Sequence, residues 1–254
     1  MAAQLENAVV VRNEALTDSV MRLRLKAPEI AQKAVPGQFV NIRVSASVAP
    51  LLRRPFGVAG VDLERGTLDV IYRVIGSGTQ TLAAAREGDT VSVNGPLGRG
   101  FDLTKSKTLI VGGGLGLAPL LFLANRKAGC DVLMGGRTET ELFWEALYAP
   151  YSKSITLCTD DGSRGIKGNV LAALPELLKA HAYDAVYVCG PEPMMRAVSR
   201  ACEEAGVFCQ VSLEKYMACG MGACLSCSCT SASGARVKVC QDGPVFASTE
   251  LHEW

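Results

Sequence analysis

The cysteines near the C-terminus have a spacing that can hold an iron–sulfur cluster. Cys219, Cys224 and Cys227 lie close together, separated by four and two residues, and Cys240 follows after a further twelve. Three close thiolates and one distant thiolate are typical of [2Fe–2S] ligands. The glycines between them let the backbone curl around inorganic sulfide, and N–H groups there can donate hydrogen bonds to cluster sulfurs. The sequence therefore predicts that these four cysteines ligate a [2Fe–2S] cluster.

A structural zinc site is the alternative for these thiols. Zinc sites usually carry two Cys-x2-Cys pairs, or one pair followed by two histidines, and the four-residue gap between Cys219 and Cys224 departs from both patterns. Cys229 lies two residues after Cys227, so in a strand both would share a face. The exclusion of Cys229 from the ligands rests on the spacing of a protein family, described below, and not on side-chain alternation.

The other five cysteines stand singly in apolar segments: Cys130, Cys158, Cys189, Cys202 and Cys209. Free cysteine packs as a small hydrophobe, so we expect these thiols to be buried, for the most part in the core. Ten cysteines would suit a disulfide scaffold in a short secreted chain. In a chain of 254 residues, thiolate–metal chemistry is the better interpretation.

Two segments are typical of a nicotinamide dinucleotide site. Residues 112–119 follow an apolar strand and open a helix, where Gly113, Gly114 and Gly116 would let a pyrophosphate approach the backbone. Such a turn can also need glycine for its geometry alone. Cys189 and Gly190 stand at the carboxyl end of a later strand, which could place Cys189 near a nicotinamide ring. Residues 160–163 end another strand and suit a ligand contact or a simple turn equally well.

Further residues suit a flavin, although their spacing alone decides nothing. Residues 53–57, Arg-Arg-Pro-Phe-Gly, offer arginines that can bind a diphosphate by bidentate hydrogen bonds. Tyr72 could stack on a flavin or pack inside a barrel. Gly78 and Thr79 could bind phosphate or form a turn.

The elements that would position these residues fall into three parts. Short β-rich runs between residues 9 and 100, at 38–44, 67–74 and 90–94, predict an antiparallel barrel. From residue 107, strands at 108–111, 131–134, 155–158, 185–189 and 208–213 alternate with helices at 118–128, 170–180 and 191–205, which predicts a doubly wound parallel sheet. After Leu213 large apolar residues are scarce, so we expect an inorganic group to organise this stretch. The predicted domains are a FAD-binding β-barrel (1–102), an NAD-binding α/β domain (103–213) and a small [2Fe–2S] module (214–254).

Composition excludes some classes of partner. The chain is 48% hydrophobic and 20% charged, and 26 basic against 25 acidic residues give a net charge of +1. No long-range field would attract nucleic acid or an anionic membrane. The first residues lack the basic start and apolar core of a signal peptide, and no stretch approaches a membrane-spanning length. We expect a cytoplasmic protein.

These motifs together resemble the ferredoxin–NADP reductase superfamily. The resemblance rests on Arg54-Pro55-Phe56-Gly57 in the barrel and on residues 112–119 and 189–191 in the nucleotide domain, and it covers nearly the whole chain. Residues 213–224, LEKYMACGMGAC, and 239–246, VCQDGPVF, closely resemble the electron-transfer subunits of NAD-dependent class 1B dihydroorotate dehydrogenases.

The resemblance implies specific sites. It implies ligation of the cluster by Cys219, Cys224, Cys227 and Cys240. It implies FAD contacts at Arg54, Pro55, Phe56, Gly57, Ile71, Tyr72, Arg73, Gly78 and Thr79. Gly57 departs from the family, which usually has Ser or Thr there, a hydroxyl within reach of flavin N5. We expect FAD binding to survive this change, whereas the potential or hydride rate of the flavin can differ.

The resemblance also implies a relay and a partner. Nicotinamide moves two electrons as hydride and a cluster moves one, so FAD between them acts as the converter. In the family a separate FMN-containing subunit oxidises dihydroorotate in pyrimidine biosynthesis, and the complex is a heterotetramer with two copies of each subunit. The only histidines here, His181 and His252, stand in no evident base motif, so we expect the substrate site on that other subunit.

Two alternative functions remain open at this point. One is the small flavin subunit of a sulfide dehydrogenase or of a bifurcating NADH-dependent ferredoxin–NADP oxidoreductase, which shares the three-part plan. The other is a non-catalytic regulator in which a structural zinc ion stabilises the fold. The choice between NAD and NADP is open too, since Arg137 follows the second strand of the sheet and could face a 2′-phosphate or pair with a neighbouring acid.

Overall fold

The N-terminal part of the chain is a closed antiparallel barrel. The computed structural model describes residues 3–45, 47 and 49–253. The barrel contains β1 (Gln4–Ala15), β2 (Val20–Lys26), α1 (Pro28–Lys33), β3 (Phe39–Arg43), β4 (Arg54–Asp62), β5 (Thr67–Arg73), α2 (Ser77–Ala83) and β6 (Thr90–Leu97). Its strands are hydrogen-bonded in the order β1-β2-β5-β4-β3-β6. Along β2, Leu23 and Leu25 point into the core, whereas Arg22 and Arg24 point outwards and both donate to the Asp69 carboxylate.

The middle of the chain is a parallel sheet with helices. It contains β7 (Thr108–Gly113), α3 (Leu117–Arg126), β8 (Cys130–Gly136), α4 (Trp144–Tyr148), β9 (Ser152–Thr159), β10 (Ile166–Lys167), α5 (Leu174–Ala180), β11 (Ala185–Cys189), α6 (Glu192–Glu204) and β12 (Phe208–Ser212). The order β10-β9-β8-β7-β11-β12 reverses between β7 and β11, which is where such sheets bind ligands. The predicted barrel and doubly wound sheet are confirmed. No helix in the described ranges is long and apolar enough to cross a membrane.

The C-terminal segment is built into the rest of the molecule. It contains β13 (Ser228–Ser231), β14 (Arg236–Lys238), β15 (Val245–Ala247) and β16 (Leu251–Glu253). Strands β14, β13 and β16 form a small antiparallel sheet, while β15 pairs antiparallel with β12 at the edge of the large sheet. The segment therefore adds an edge strand to the nucleotide-binding sheet as well as carrying the cysteine cluster.

One apolar cluster joins all three parts of the chain. Phe39 of the barrel, Val211 of the sheet and Phe246 of the C-terminal segment belong to it, together with the buried thiols of Cys227 and Cys240. The segment after Leu213 is therefore held in place by packing against this shared core, and a bound inorganic group would hold it further. The five singly placed cysteines, from Cys130 to Cys209, are all buried, as expected.

Candidate functional site

Two adjoining cavities lie at the reversal point of the sheet. The sheet cavity, of about 590 Å³, is lined by glycines at the carboxyl ends of β7, β8 and β11. The barrel cavity, of about 320 Å³, lies between β4 and β5 of the barrel and the start of α3. Both cavities are lined by Arg73, Leu115, Leu213, Glu214 and Lys215. Ligands in the two cavities would therefore be neighbours.

The barrel cavity gathers almost all of the residues predicted to contact FAD. Those that line it are Arg54, Pro55, Phe56, Gly57, Ile71, Tyr72, Arg73 and Thr79. Gly78 lies behind Arg54, since a Cβ there would be 2.7 Å from Arg54 Nε. Tyr72 also packs in the barrel: its hydroxyl donates to Asn13 Oδ1 at 3.3 Å, and burial raises its pKa to about 12. Tyr72 therefore packs in the barrel and also lines the cavity, and its stacking on a flavin stays a prediction.

The cavity walls fit an anionic diphosphate. Within the described part of the chain, Arg73 Nε is buried and has no hydrogen-bond partner. A buried donor without a partner is costly, and a phosphate oxygen would satisfy it. Arg53 has a different role, because its guanidinium donates to Asn41 O at 3.2 Å and to Ser92 O at 2.8 Å, tying strands together.

The sheet cavity gathers most of the predicted nicotinamide-dinucleotide residues. Gly113, Gly114, Gly116 and Gly190 line it, whereas Cys189 lines the neighbouring barrel cavity. Glycine is required at position 116, because a Cβ there would lie 2.5 Å from the backbone carbonyl of Cys189. Burial raises the pKa of the Cys189 thiol far above its usual value, so this thiol stays protonated.

The segment 160–163 forms a turn, and its first residue lines the sheet cavity. Asp160 lines the sheet cavity. The next carboxylate, Asp161, accepts from the N–H of Ser163 at 2.9 Å and from its hydroxyl at 2.6 Å, which closes a turn. These hydrogen bonds hold the pKa of Asp161 below its usual value. Only the first residue of the segment is therefore available to a ligand in that cavity.

Arg137 is paired with an acid at the rim of the sheet cavity. Its Nε donates to Glu141 Oε1 at 2.8 Å, and its backbone N–H donates to Glu141 Oε2 at 2.9 Å. Arg137 holds the pKa of Glu141 below its ordinary value. Both residues line the sheet cavity, and so does Asp160. The guanidinium that could face a 2′-phosphate is thus already paired with an acid.

The sequence analysis missed the last residue of β12 and the residues that follow this strand. Ser212 and Met217 line the barrel cavity, and Leu213, Glu214 and Lys215 line both cavities. Their position could have predicted a ligand contact, because they lie at the carboxyl end of a strand of the parallel sheet, where ligands bind. Lys215 Nζ lies 3.5 Å from Glu192 Oε2, at the start of α6.

The four predicted cluster ligands lie together as two pairs. The N–H of Cys224 donates to Cys219 Sγ, and the N–H of Cys240 donates to Cys227 Sγ, both at 3.4 Å. The N–H of Gly222 links the pairs by donating to Cys240 Sγ at 3.1 Å. Among the described residues, no three Cys, His, Asp or Glu side chains converge closely enough to hold one metal ion. Two thiol pairs facing backbone N–H donors fit a two-iron cluster.

The pKa values of the thiols differ with their surroundings. Hydrogen bonds from Ser226 lower the pKa of the exposed Cys224 thiol to about 6. Burial and the neighbouring Cys227 thiol raise the pKa of Cys240 to about 12, so metal binding there must displace a proton. Cys229, on β13, packs against the apolar core beside the thiol pairs.

Two family models match this chain. The model described as the oxidoreductase FAD-binding domain matches residues 7–101. The model described as the iron–sulfur cluster binding domain of dihydroorotate dehydrogenase B matches residues 214–252. These ranges contain the barrel residues and the four thiols described above.

Curated relatives and solved structures are similar over most of their length. The electron transfer subunit of dihydroorotate dehydrogenase B (NAD(+)) from Desulforamulus reducens is 40% identical over 242 residues, which are 90% of this chain and 91% of that protein. Its counterpart from Geobacillus kaustophilus is 38% identical, over 97% of this chain and 98% of that protein.

A solved structure of an NADH-dependent reduced ferredoxin–NADP oxidoreductase is 30% identical, with a TM-score of 0.84 over 97% of this chain and 90% of that one. The ferredoxin reductase of carbazole 1,9a-dioxygenase, 23% identical with a TM-score of 0.66 over 82% and 67% of the two chains, shares the fold.

Proposed function

Since the chain belongs to the family of electron transfer subunits of dihydroorotate dehydrogenase B (NAD(+)), we propose that it relays electrons from a dihydroorotate-oxidising partner to NAD⁺. On this proposal, electrons leave the FMN of the partner and pass through the [2Fe–2S] cluster and FAD of this chain, in the service of pyrimidine biosynthesis. Bound FAD supplies the conversion between single electrons and hydride.

The main support for this proposal is that the sheet cavity, the barrel cavity and the cysteine cluster lie next to one another. The sheet cavity and the barrel cavity share walls, and Met217 lines the barrel cavity two residues before the first cluster cysteine. Asn41, on β3 of the barrel, donates from Nδ2 to the carbonyl oxygen of Cys219 at 3.2 Å. A nicotinamide, a flavin and a cluster in these sites would stand in the order that the electron route requires.

The residues of the chain would bind and orient the groups. Arg54 and Arg73 would bind the FAD diphosphate, and Gly57, Ile71, Tyr72 and Thr79 would form the walls of the flavin site. Gly113, Gly114, Gly116 and Gly190 would let the NAD pyrophosphate reach the backbone. The four thiols Cys219, Cys224, Cys227 and Cys240 would ligate the cluster. The proposed domains are residues 1–102, 103–213 and 214–254, with β15 of the last completing the sheet of the second.

The surface around the cluster loop would meet the partner. Tyr216, Met221 and Leu225 are exposed by 96%, 59% and 53%, and they belong to the same stretch of chain as the exposed Cys224. Large apolar side chains at a surface are typical of an interaction site. We propose that this loop patch, Tyr216, Met221 and Leu225, docks on an FMN-containing catalytic subunit, in a heterotetramer with two copies of each. A cytoplasmic location is part of the proposal, since exposed thiols stay reduced there.

Reconstitution with the partner tests the proposal. The chain is purified together with the dihydroorotate-oxidising subunit, and FAD, FMN and iron are measured alongside reduction of NAD⁺ by dihydroorotate. We expect bound FAD and two irons per chain, with NADH formed only when both subunits are present. Cys224→Ser should lose iron, whereas the matched Cys229→Ser should keep it. A colourless chain, or one that binds zinc in place of iron, would contradict the proposal.

The second candidate function is that of the small flavin subunit of an NADH-dependent ferredoxin–NADP oxidoreductase. The structural likeness at a TM-score of 0.84 supports it, although the identity of 30% is below the 40% of the dihydroorotate dehydrogenase relative. The partner separates the two functions. Purification of the chain from its native host, with mass spectrometry of what accompanies it, should recover an FMN-containing dihydroorotate dehydrogenase; a different large subunit would assign the relay to that enzyme.

A further inference from the structure

We propose that the hydroxyl of Ser226 donates a hydrogen bond to the sulfur of Cys224 and thereby raises the reduction potential of the cluster that the four thiols would ligate. The inference rests on the proposed function and adds to it a residue that tunes one step of the relay. Neither the cysteine spacing nor the family resemblance assigns a role to Ser226.

The hydroxyl of Ser226 lies among three groups of the cluster loop. Its Oγ accepts a hydrogen bond from the backbone N–H of Ala218 at 3.0 Å. The same Oγ lies 3.2 Å from Cys224 Sγ and 3.5 Å from the carbonyl oxygen of Tyr216. Because one lone pair of Oγ already meets a donor, the single proton of the hydroxyl is left for the sulfur or for the carbonyl oxygen.

The sulfur is the better acceptor of that proton. A cysteine that ligates a metal has lost its own proton, so at the contact between Ser226 and Cys224 the serine must be the donor. Hydrogen bonds to a charged acceptor are roughly twice as strong as those to a neutral one. The Tyr216 carbonyl is neutral and, at 3.5 Å, lies at the outer limit of hydrogen-bond distance. The hydroxyl proton therefore belongs to the Cys224 thiolate.

The other three cluster thiols receive donors of a different kind. In the described part of the chain, backbone N–H groups donate to the sulfurs of Cys219, Cys227 and Cys240, at distances of 3.1 to 3.4 Å. Such donors are present whatever the side chain, whereas the hydroxyl at Cys224 depends on the identity of residue 226. A single substitution can therefore remove this donor and keep the backbone donors in place.

A donor at the sulfur of Cys224 favours the reduced state. Reduction adds one electron, and with it one negative charge, to the cluster and its thiolates; it breaks no bond and takes up no proton. The partial positive charge of the hydroxyl hydrogen stabilises this added charge, so the hydrogen bond raises the reduction potential. On the proposed route the electron comes from the FMN of the partner, and a higher potential favours that transfer.

Docking of the partner should strengthen the effect. Cys224 and Ser226 are both exposed, so in the chain alone water competes with the hydroxyl for the sulfur. Leu225, of the loop patch, stands between them in sequence, and a partner bound to this patch would exclude that water. Hydrogen bonds are stronger in such surroundings of low dielectric constant. The complex is therefore the form in which the contribution of Ser226 should be measured.

A redox titration of the reconstituted complex, followed by EPR of the reduced cluster, measures this potential without turnover. We expect Ser226→Ala to lower the equilibrium constant for one-electron reduction of the cluster by about tenfold, a shift of about 59 mV to lower potential, with unchanged iron content. Ser226→Thr keeps a hydroxyl and should keep the potential. Ser228→Ala is the matched control, because the Ser228 hydroxyl donates to the carbonyl oxygen of Leu225 at 2.8 Å in the same loop. Its loss should leave the potential unchanged.

A second readout detects the hydrogen bond itself. When the reduced complex is exchanged into D₂O, pulsed EPR records the couplings of exchangeable deuterons close to the cluster. The Ser226 hydroxyl should contribute one of these couplings. We expect it to be missing in Ser226→Ala and present in Ser228→Ala.

The outcomes distinguish this inference from the proposed function. An unchanged potential in Ser226→Ala would overturn the inference and leave the relay intact. An equal shift in Ser228→Ala would overturn it too, since it would indicate a general change in the loop. Loss of iron from Ser226→Ala would also overturn it, because the hydroxyl would then serve to hold the loop at Ala218. Absence of iron from the unsubstituted chain would overturn the proposed function itself.

Discussion

Asn41 of the barrel and Cys219 of the cluster loop are joined by a hydrogen bond, from Asn41 Nδ2 to the Cys219 carbonyl oxygen at 3.2 Å, across 178 positions of sequence. Asn41 is 1% exposed. The next residue, Gly220, has φ +69°, and a Cβ there would lie 2.2 Å from Asn41 Nδ2. The flavin barrel and the cluster loop are therefore in close contact at this point, and the contact requires glycine at position 220.

Substitution of Gly220 should release the cluster loop from the barrel. In Gly220→Ala, the new Cβ would overlap the Asn41 amide, so we expect lower iron content and a loss of about 2–3 kcal/mol in the free energy of unfolding, from strain and overpacking. Iron analysis and urea unfolding of the purified variant measure both quantities.

Gly234→Ala is the matched control for this substitution. Gly234 has φ +79° in the same segment, yet no neighbouring atom lies within 4 Å of the point that a Cβ would occupy there. Its substitution should cost only the backbone strain of about 1–2 kcal/mol and leave the iron content unchanged. Adding Asn41→Ala to Gly220→Ala should restore part of the iron. Equal effects of the two glycine substitutions would show that the contact with Asn41 is unimportant.

Gly57 should tolerate a side chain poorly, even though relatives of the superfamily usually carry Ser or Thr there. A Cβ at Gly57 would lie 2.9 Å from Pro119 Cβ at the start of α3. Gly57→Ser and Gly57→Ala should therefore both lower the free energy of unfolding by about 1–3 kcal/mol. Thermal unfolding with and without added FAD measures this loss.

The two variants also isolate the effect of a hydroxyl. They share the contact with Pro119, so a faster NADH-driven reduction of FAD in Gly57→Ser than in Gly57→Ala would come from the serine Oγ. Unfolding free energies equal to that of the unsubstituted chain would mean that α3 moves freely away from the barrel, contrary to the packing described.

Glu141 should favour NAD over NADP. Its carboxylate neutralises Arg137 at the rim of the sheet cavity, with Asp160 nearby. In Glu141→Gln, the guanidinium is free to meet a 2′-phosphate, so we expect the ratio of kcat/KM for NADPH to that for NADH to rise by roughly tenfold, as for one charge-assisted hydrogen bond. Steady-state diaphorase kinetics with both nucleotides measure the ratio. Glu139→Gln, on the same turn, should leave it unchanged, and a similar rise in that control would attribute the effect to net charge alone.

The sequence predicts those parts of the molecule that local pattern determines. Short β-rich runs predicted the barrel, strands alternating with helices predicted the parallel sheet, and the cysteine spacing predicted four thiols that the structure brings together in two pairs. Contacts between distant segments have no such pattern. The hydrogen bond of Asn41 and the pairing of β15 with β12 depend on how the last 40 or so residues fold back on the other two parts, a matter of tertiary packing.

The loop patch should determine association with the partner subunit. Tyr216 and Met221 are exposed beside the cluster ligands. Truncating a large aromatic anchor of an interface commonly costs 2 kcal/mol or more, so Tyr216→Ser should weaken binding by about 30-fold or more. Calorimetric titration of the chain with the catalytic subunit measures this affinity, and the visible spectrum of the chain alone should be unchanged because Tyr216 lines neither cavity. Leu63→Ser, at an exposed leucine on the β4–β5 turn, is the control and should bind normally. Normal affinity in Tyr216→Ser together with Met221→Ser would place the partner on another face of the chain.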